Sequence, residues 1–243
     1  MSYDYKAGKL RLESILSSKE EIVEVKSVPQ DESSWTYSNG IESWITSIFI
    51  DLRDSKKLFS TKAKFDVAKV IRSFTSEIIE IFNGSNLVRE IGIRGDCVFG
   101  VFSTPSTQSV NEVLGLCEWA NTYIKMLNNL LVKYKIDTIK AGIGISCSKD
   151  LIVKTGRKGT GIYDRVWIGK ALAEADRLSK ITSKVETSFE TKMPIAMCKT
   201  VYNSIKEFGK NSELYTKHRI QDYYAGDVIR LEMNSWIDLG MKP

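Results

Sequence analysis

Two aspartates stand where this sequence could hold metal ions. Asp51 ends the strongly apolar run that begins at Trp44, and Asp96 follows Gly95 between two short apolar runs. A carboxylate is costly to bury without a partner. If the strand before Asp51 runs antiparallel to the hairpin that carries Asp96, the two side chains meet at one edge of the sheet and can hold two divalent cations. Such ions serve phosphoryl chemistry, because one activates the attacking oxygen and the other neutralises the phosphates.

Each aspartate also has an ordinary structural interpretation. Asp51 could cap the segment that follows it, and Asp96 could be a hairpin-turn aspartate, since both roles are common. Taken one at a time, the two residues favour this interpretation. Taken together, and with the motifs described below, they favour the metal site.

The other reactive side chains narrow the types of reaction. The only histidine is His218 and no nucleophile elbow accompanies it, which disfavours Ser-His-Asp and Cys-His catalysis. The four cysteines are widely spaced and form no CxxC pair, which argues against zinc and disulfides. Catalysis must therefore use carboxylates, lysines or arginines.

The net charge of +5 comes from lysines and arginines scattered along 243 residues. They form no basic tract, so stable nucleic-acid binding is not expected. The same charge fits a polyanionic small substrate, or simply a solvated surface. The chain has no run of about 18 apolar residues and no signal-peptide start, which predicts a cytoplasmic protein without membrane attachment.

The elements that would position these side chains alternate between strands and helices. Trp44 to Asp51 is β-branched and aromatic, as expected of a buried strand, and apolar residues at helical spacing predict a long helix over Thr61 to Phe82. A predicted hairpin, helix and strand follow, over Leu87 to Phe102, Val110 to Tyr134 and Ile139 to Cys147.

The later part of the chain continues in the same way. We predict a strand over Ile162 to Ile168, a helix over Gly169 to Ile181, a strand over Ile195 to Cys198 and a final hairpin over Tyr223 to Met233. The whole predicts an α+β fold, a mostly antiparallel sheet with helices on one face. At the other end of the chain, Leu10 to Ile22 predicts a short helix, and a polar loop follows it.

Three blocks of this sequence resemble the signatures of class III nucleotidyl cyclases. They are Phe49-Ile-Asp-Leu-Arg-Asp-Ser55, Arg94-Gly-Asp96 and Gly169-Lys-Ala-Leu-Ala-Glu-Ala-Asp-Arg-Leu178. The similarity spans about residues 41 to 232, and the predicted order of elements agrees with the ferredoxin-like core of that family. We therefore divide the chain into an N-terminal extension, residues 1 to 40, and a catalytic domain, residues 41 to 243.

The resemblance implies a metal-dependent reaction. Asp51 and Asp96 match the two metal-binding aspartates, and Leu52 matches the residue whose backbone carbonyl also touches a metal. Two divalent ions, Mn²⁺ or Mg²⁺, are the implied cofactors. Arg177 matches the arginine that stabilises the transition state and comes from the partner chain, which implies a homodimer with composite active sites.

The resemblance also implies which residues bind the nucleoside triphosphate. Arg53, Asp54 and Ser55 match a loop whose N–H groups cradle the triphosphate ahead of a helix. Phe49 lies two residues before the first metal ligand on the same strand face, where it could wall the pocket or belong to the core. Arg94 could contact the triphosphate or base, or could be an exposed turn arginine.

Three positions depart from the purine cyclases of this family. Gly92 and Val166 stand where those enzymes carry side chains that read the base, and Ala173 replaces an asparagine that orients the ribose. The pattern is similar to the pyrimidine nucleotide cyclases of bacterial anti-phage signalling (Pycsar) systems. That likeness implies UTP or CTP as substrate, and a separate effector protein that reads the cyclic product. UTP comes first and CTP next, because Gly92 and Val166 leave the pocket without a specified hydrogen-bond donor.

Two other functions stay open at this point. Ala173 would also suit a silent cyclase-like module that binds a nucleotide or a partner without turnover. Ferredoxin-like sheets often bind nucleic acid, but this sequence lacks the pair of exposed aromatics and the basic stripe of that use.

Overall fold

The computed structural model describes residues 3–55, 63–183, 192–208 and 212–242. Nine strands form one sheet in the order β3-β4-β2-β5-β7-β9-β8, with β1 beside β2 and β6 beside β5. The strands are β1 (Glu21–Glu24), β2 (Asn39–Leu52), β3 (Val88–Arg94), β4 (Cys97–Ser103), β5 (Ala141–Arg157), β6 (Ile162–Ile168), β7 (Ile195–Cys198), β8 (Thr216–Lys217) and β9 (Tyr223–Gly226).

Six α-helices accompany the sheet within the described residues. They are α1 (Tyr5–Leu16), α2 (Lys64–Asn83), α3 (Thr107–Lys133), α4 (Lys170–Ile181), α5 (Lys199–Glu207) and α6 (Leu231–Asp238). Among the described strands only β1 with β2 and β5 with β7 pair in parallel, so the sheet is mostly antiparallel. The predicted α+β class and the order strand, helix, hairpin, helix, strand are confirmed.

Strand β2 is central because its two faces belong to two different cores. Ile48, Ile50 and Leu52 point to a large core shared with α2, α3 and α5. Ile45 and Phe49 point to a second core on the other side of the sheet. Side chains alternate between the faces of a strand, so Asp51 lies on the same side as Phe49.

Helix α4 covers the second face, so the prediction that the helices lie on one face is wrong. Its Ala171 and Ala175 belong to the second core. Its approach is so close that a Cβ at Gly144 of β5 would overlap the carbonyl oxygen of Ala175. Glycine is required at position 144 for this close contact. The apolar spacing of α4 alone does not show on which face of the sheet the helix packs.

The first forty residues contribute to this second face. Helix α1 ends at Leu16, and Ile22, which we predicted to be helical, lies in β1 because Glu21–Glu24 pairs with the start of β2. Val28 and Trp35 are buried in the second core. The boundary between residues 1–40 and 41–243 stays a prediction.

The predicted hairpin over Tyr223 to Met233 is wrong. Strand β9 pairs with β7 and with the preceding β8, and α6 begins at Leu231. The chain leaves the sheet after Gly226 because α3 holds it. Asn121 donates hydrogen bonds to Asp227 and Val228, and the N–H of Arg230 donates to Thr122 Oγ1 at 2.8 Å. No helix within the described ranges is long and apolar enough to cross a membrane.

Candidate active site

The sheet register brings Asp51 and Asp96 together. Strand β4 runs antiparallel to β2 and places Cys97 opposite Asp51. Asp96 precedes Cys97 in the turn that joins β3 to β4, so it lies at the same edge of the sheet as Asp51. Gly95 makes that turn with a φ of 65°, and the N–H of Leu52 donates to the Asp96 carbonyl at 3.3 Å. This is the meeting of carboxylates that the sequence predicted.

The two carboxylates line one cavity of about 440 Å³, which we call the carboxylate cavity. From the sheet it is lined by Phe49, Asp51, Arg94, Asp96 and Cys97. Helix α4 supplies the opposite wall. Its contribution is Leu172, Ala173, Asp176 and Lys180.

The electrostatic setting of Asp51 favours a cation. Burial raises the pKa of Asp51, Arg53 lowers it, and the neighbouring Asp96 raises it again. Arg53 Nη2 lies 2.7 Å from Asp51 Oδ2 and is the ion-pair partner of this carboxylate. A divalent cation beside both aspartates would relieve their repulsion and favour the ionised forms.

The donor chemistry fits hard divalent ions, although the protein supplies few ligands. Among the described residues no group of three or more His, Cys, Asp or Glu side chains is placed to hold a metal. Two carboxylates and a backbone carbonyl are nevertheless oxygen donors of the kind that Mg²⁺ and Mn²⁺ prefer, and Mg²⁺ is commonly bound by one or two carboxylates plus substrate phosphates.

Arg177 lies away from the carboxylate cavity. It lines a second cavity of about 630 Å³, the arginine cavity, with Lys170, Ala173, Cys198, Lys199 and Asp222. Its guanidinium pairs with Glu174 at 2.6 Å and donates to Gln221 at 3.1 Å. Ala173 borders both cavities. One chain therefore does not bring Arg177 to the two aspartates.

An aromatic stack forms the floor beside the aspartates. The rings of Phe49 and Phe99 are stacked with centroids 5.1 Å apart. The Arg94 guanidinium carbon lies 5.2 Å from the Phe99 ring centroid, within the range of a cation–π contact. Phe49 and Arg94 both line the carboxylate cavity, so a molecule bound there would contact them.

The loop after β2 is only partly described. The N–H of Arg53 donates to the Lys140 carbonyl at 2.8 Å and is thus already paired. Asp54 has a left-handed backbone with a φ of 55°, and Ser55 is the last residue described before the gap at residues 56–62. The amides of Asp54 and Ser55 stay the candidates for a triphosphate cradle.

Gly92 and Val166, which match the base-reading positions of the purine enzymes, have surroundings that differ from each other. The Phe99 ring lies over Gly92, and a Cβ at Gly92 would overlap it. Val166 of β6 pairs with Val153 of β5 and lines neither cavity.

Glu90 and Trp167 form a contact that the sequence analysis missed. The Trp167 indole N–H donates to Glu90 at 2.5 Å and joins β6 to β3 across the second face. Side chains alternate along a strand, so the sequence predicts that Glu90 lies on the same face as Gly92. It gives no other indication of this contact. The partner in β6 is 77 residues away and could not be found from spacing.

Helix α4 is held at both ends. At its start, the Asp150 carboxylate of β5 accepts from the N–H groups of Lys170 and Ala171 at 3.1 and 3.2 Å. At its end, Arg53 donates to the carbonyls of Ser179 and Lys180. The helix that borders both cavities is therefore fixed against the sheet.

Comparison with known structures identifies the fold of the chain. No family model matches it. It is similar to a class III adenylyl cyclase-like ATP-binding protein of Pseudomonas aeruginosa, with a TM-score of 0.67 and 17% identity, over 95% of this chain and 48% of that one. The fold is thus that of class III cyclase domains.

Two relatives are closer in sequence, and both are named uridylate cyclase. The protein from Treponema porcinum is 43% identical over 99% of this chain and 83% of its own length. The protein from Gulbenkiania mobilis is 30% identical over 98% of this chain and 96% of its own length. The chain belongs to the uridylate cyclase family of nucleotidyl cyclases.

Proposed function

We propose that this protein is a metal-dependent cyclase that converts UTP to 3′,5′-cyclic UMP and pyrophosphate, working as a homodimer. The observation that carries the proposal is the convergence of Asp51 and Asp96 on one cavity at the edge of the sheet. The names of the two relatives support UTP as the substrate. Gly92 and Val166, which offer no side chain that hydrogen-bonds a base, also favour UTP, and CTP is the next candidate.

Asp51, Asp96 and the carbonyl of Leu52 would hold two Mn²⁺ or Mg²⁺ ions. When bound, such ions lower the pKa of the ribose 3′-hydroxyl and neutralise the phosphates. In the reaction the 3′-oxygen bonds to the α-phosphorus, the bond from that phosphorus to pyrophosphate breaks, and the hydroxyl proton goes to solvent. The single histidine, His218, lines neither cavity, which agrees with a reaction that needs no histidine base.

The side chains around the carboxylate cavity bind and orient the nucleotide. Phe49 presents an aromatic wall, and Arg94 supplies a fixed positive charge beside it for the triphosphate or the base. The amides of Asp54 and Ser55 face the triphosphate in this proposal.

Arg177 acts on the substrate of the partner chain. Its place in the separate arginine cavity, outside its own carboxylate cavity, supports the supply of this arginine by a second copy. Its guanidinium then stabilises the charge that develops on the transferred phosphorus. The resemblance to Pycsar cyclases further supports a second messenger made in the cytoplasm during anti-phage defence and read by an effector protein.

The test is to incubate the purified chain with each of the four nucleoside triphosphates and Mn²⁺, and to identify products by mass spectrometry. Cyclic UMP is expected from the wild type and not from Asp51→Asn or Asp96→Asn. Asp238→Asn, on α6, serves as the matched control and retains activity. A cyclic purine as the main product would refute the assignment of the base.

A second candidate is a silent module that binds the triphosphate without turnover. Ala173, which borders both cavities, favours it, as does the similarity to a cyclase-like ATP-binding protein. The same experiment separates the two functions. Retention of UTP without any cyclic product would identify the silent module.

A further inference from the structure

The side chain of Arg53 is directed into the protein, where it reaches two elements at once. Its Nη2 donates to Asp51 Oδ2 at 2.7 Å and to the Ser179 carbonyl at 2.6 Å. Its Nη1 donates to the Lys180 carbonyl at 3.0 Å. The side chain is only 12% exposed. Arg53 therefore links the end of β2 to the last turn of α4.

This link is chemically specific for arginine. The last carbonyls of a helix lack intrahelical partners and carry partial negative charge, so they favour a cation at the end of α4. The planar guanidinium can donate from separate nitrogens to the helix and to the carboxylate, whereas a lysine is a single point charge on a flexible stem.

The link also fixes the orientation of the Asp51 carboxylate. Oδ2 accepts a hydrogen bond from Arg53, while Oδ1 accepts none from the described residues. A carboxylate held through one oxygen presents the other in a defined direction. Partners of this kind, behind a metal ligand, set ligand geometry and metal affinity.

We propose that Arg53 is a positioning residue that orients Asp51 for a divalent cation and fixes that carboxylate relative to α4. This inference rests on the proposed metal-dependent function. Helix α4 lines the carboxylate cavity through Asp176 and Lys180 and carries Arg177 into the arginine cavity. Arg53 thus connects the proposed metal ligand Asp51 to the helix that carries Arg177.

Asp150 offers the control for a merely structural role. It caps the start of α4 as Arg53 caps the end, but it makes no contact with Asp51. If Arg53 only secured the helix, loosening either end would have similar consequences. If Arg53 positions Asp51, only its own substitution changes cation binding strongly.

The experiment measures Mn²⁺ binding by electron paramagnetic resonance, with no nucleotide present, and thermal unfolding in parallel. Wild type, Arg53→Lys, Arg53→Gln, Asp150→Asn and Asp51→Asn are compared. We expect Arg53→Lys and Arg53→Gln to weaken Mn²⁺ affinity roughly 10- to 100-fold. Asp150→Asn should lower the Tm while leaving the affinity within about threefold.

The outcomes separate this inference from the proposed function. Mn²⁺ affinity that depends on Asp51 but is unchanged in both Arg53 variants overturns the role of Arg53 alone. An equal loss in Asp150→Asn also overturns it, because the effect would then belong to the helix. A wild-type chain without Asp51-dependent Mn²⁺ binding overturns the role proposed for Arg53, whereas the proposed function, in which substrate phosphates can complete the metal site, is tested by the product assay.

Discussion

The ring of Phe99 occupies the space above Gly92 in the neighbouring strand. The two residues are cross-strand partners, and a Cβ at Gly92 would overlap the ring. Gly92 therefore leaves room for the Phe99 ring, which belongs to an aromatic stack. The stack continues from Phe99 to Phe49 at the carboxylate cavity.

Gly92→Ala should therefore destabilise the protein. The new methyl group must displace Phe99, and overpacking of this kind costs about 1 to 3 kcal/mol. Denaturant unfolding measures the change in the free energy of unfolding. Combining Gly92→Ala with Phe99→Leu should recover part of the loss relative to the sum of the single changes. Additive effects of the two substitutions would contradict the contact.

Glu90 should make stability depend on pH. Burial raises the pKa of Glu90, and the hydrogen bond from Trp167 opposes the shift only in part. Because the folded pKa lies above the unfolded one, ionisation of Glu90 costs the folded state stability. The cost is absent below the unfolded pKa and grows as the pH rises through the folded one.

The comparison that checks this effect is wild type against Glu90→Gln, whose amide oxygen can still accept from Trp167. The Tm of the wild type should fall relative to that of Glu90→Gln as the pH rises from 4 to 7. Glu232→Gln, an exposed residue of α6, is the control and should show no such trend. A difference in Tm between the two proteins that stays constant with pH would show that folding does not raise the pKa of Glu90.

Cys97 should be protected from alkylation although it lines the carboxylate cavity. Burial, followed by the charges of Asp51, Asp176 and Asp96, raises the pKa of its thiol to about 12. The reactive thiolate is therefore scarce at pH 8. Iodoacetamide labelling followed by peptide mass spectrometry should modify Cys97 only after denaturation. Labelling of the folded protein at the rate of a free cysteine would contradict this burial.

The sequence predicted the meeting of Asp51 and Asp96 because both follow from local patterns. An apolar strand and a hairpin with a glycine turn leave few ways to pair, and antiparallel pairing puts both aspartates at one edge. The side-chain contacts of Arg53 were less accessible to prediction. Its side-chain partners Ser179 and Lys180 are more than a hundred residues away, so only the three-dimensional packing of α4 reveals them.

The incorrect predictions have a common physical origin. Periodicity shows that Gly169 to Ile181 is a helix with an apolar side, but it does not show which face of the sheet receives that side. The final hairpin failed for a related reason, since Asn121 and Thr122 of α3 hold the chain after Gly226. In both cases a contact between distant segments decided the path.

If two chains complete one active site, two variants that are each inactive should restore activity when their chains are mixed. Asp51→Asn removes a proposed metal ligand from the carboxylate cavity, and Arg177→Ala removes the guanidinium from the arginine cavity. Each variant alone should be inactive, because both sites of its homodimer are defective. In randomly mixed dimers half of the molecules are heterodimers with one intact site, so the mixture should recover about a quarter of wild-type activity.

The matched control is a mixture of Asp51→Asn with Asp96→Asn, in which every site lacks an aspartate and no activity should return. Cyclic UMP production after co-refolding is the quantity measured. Recovery in the first mixture and none in the second is the predicted result. Full activity of Arg177→Ala alone, or no recovery in a first mixture of folded chains, would contradict the composite site.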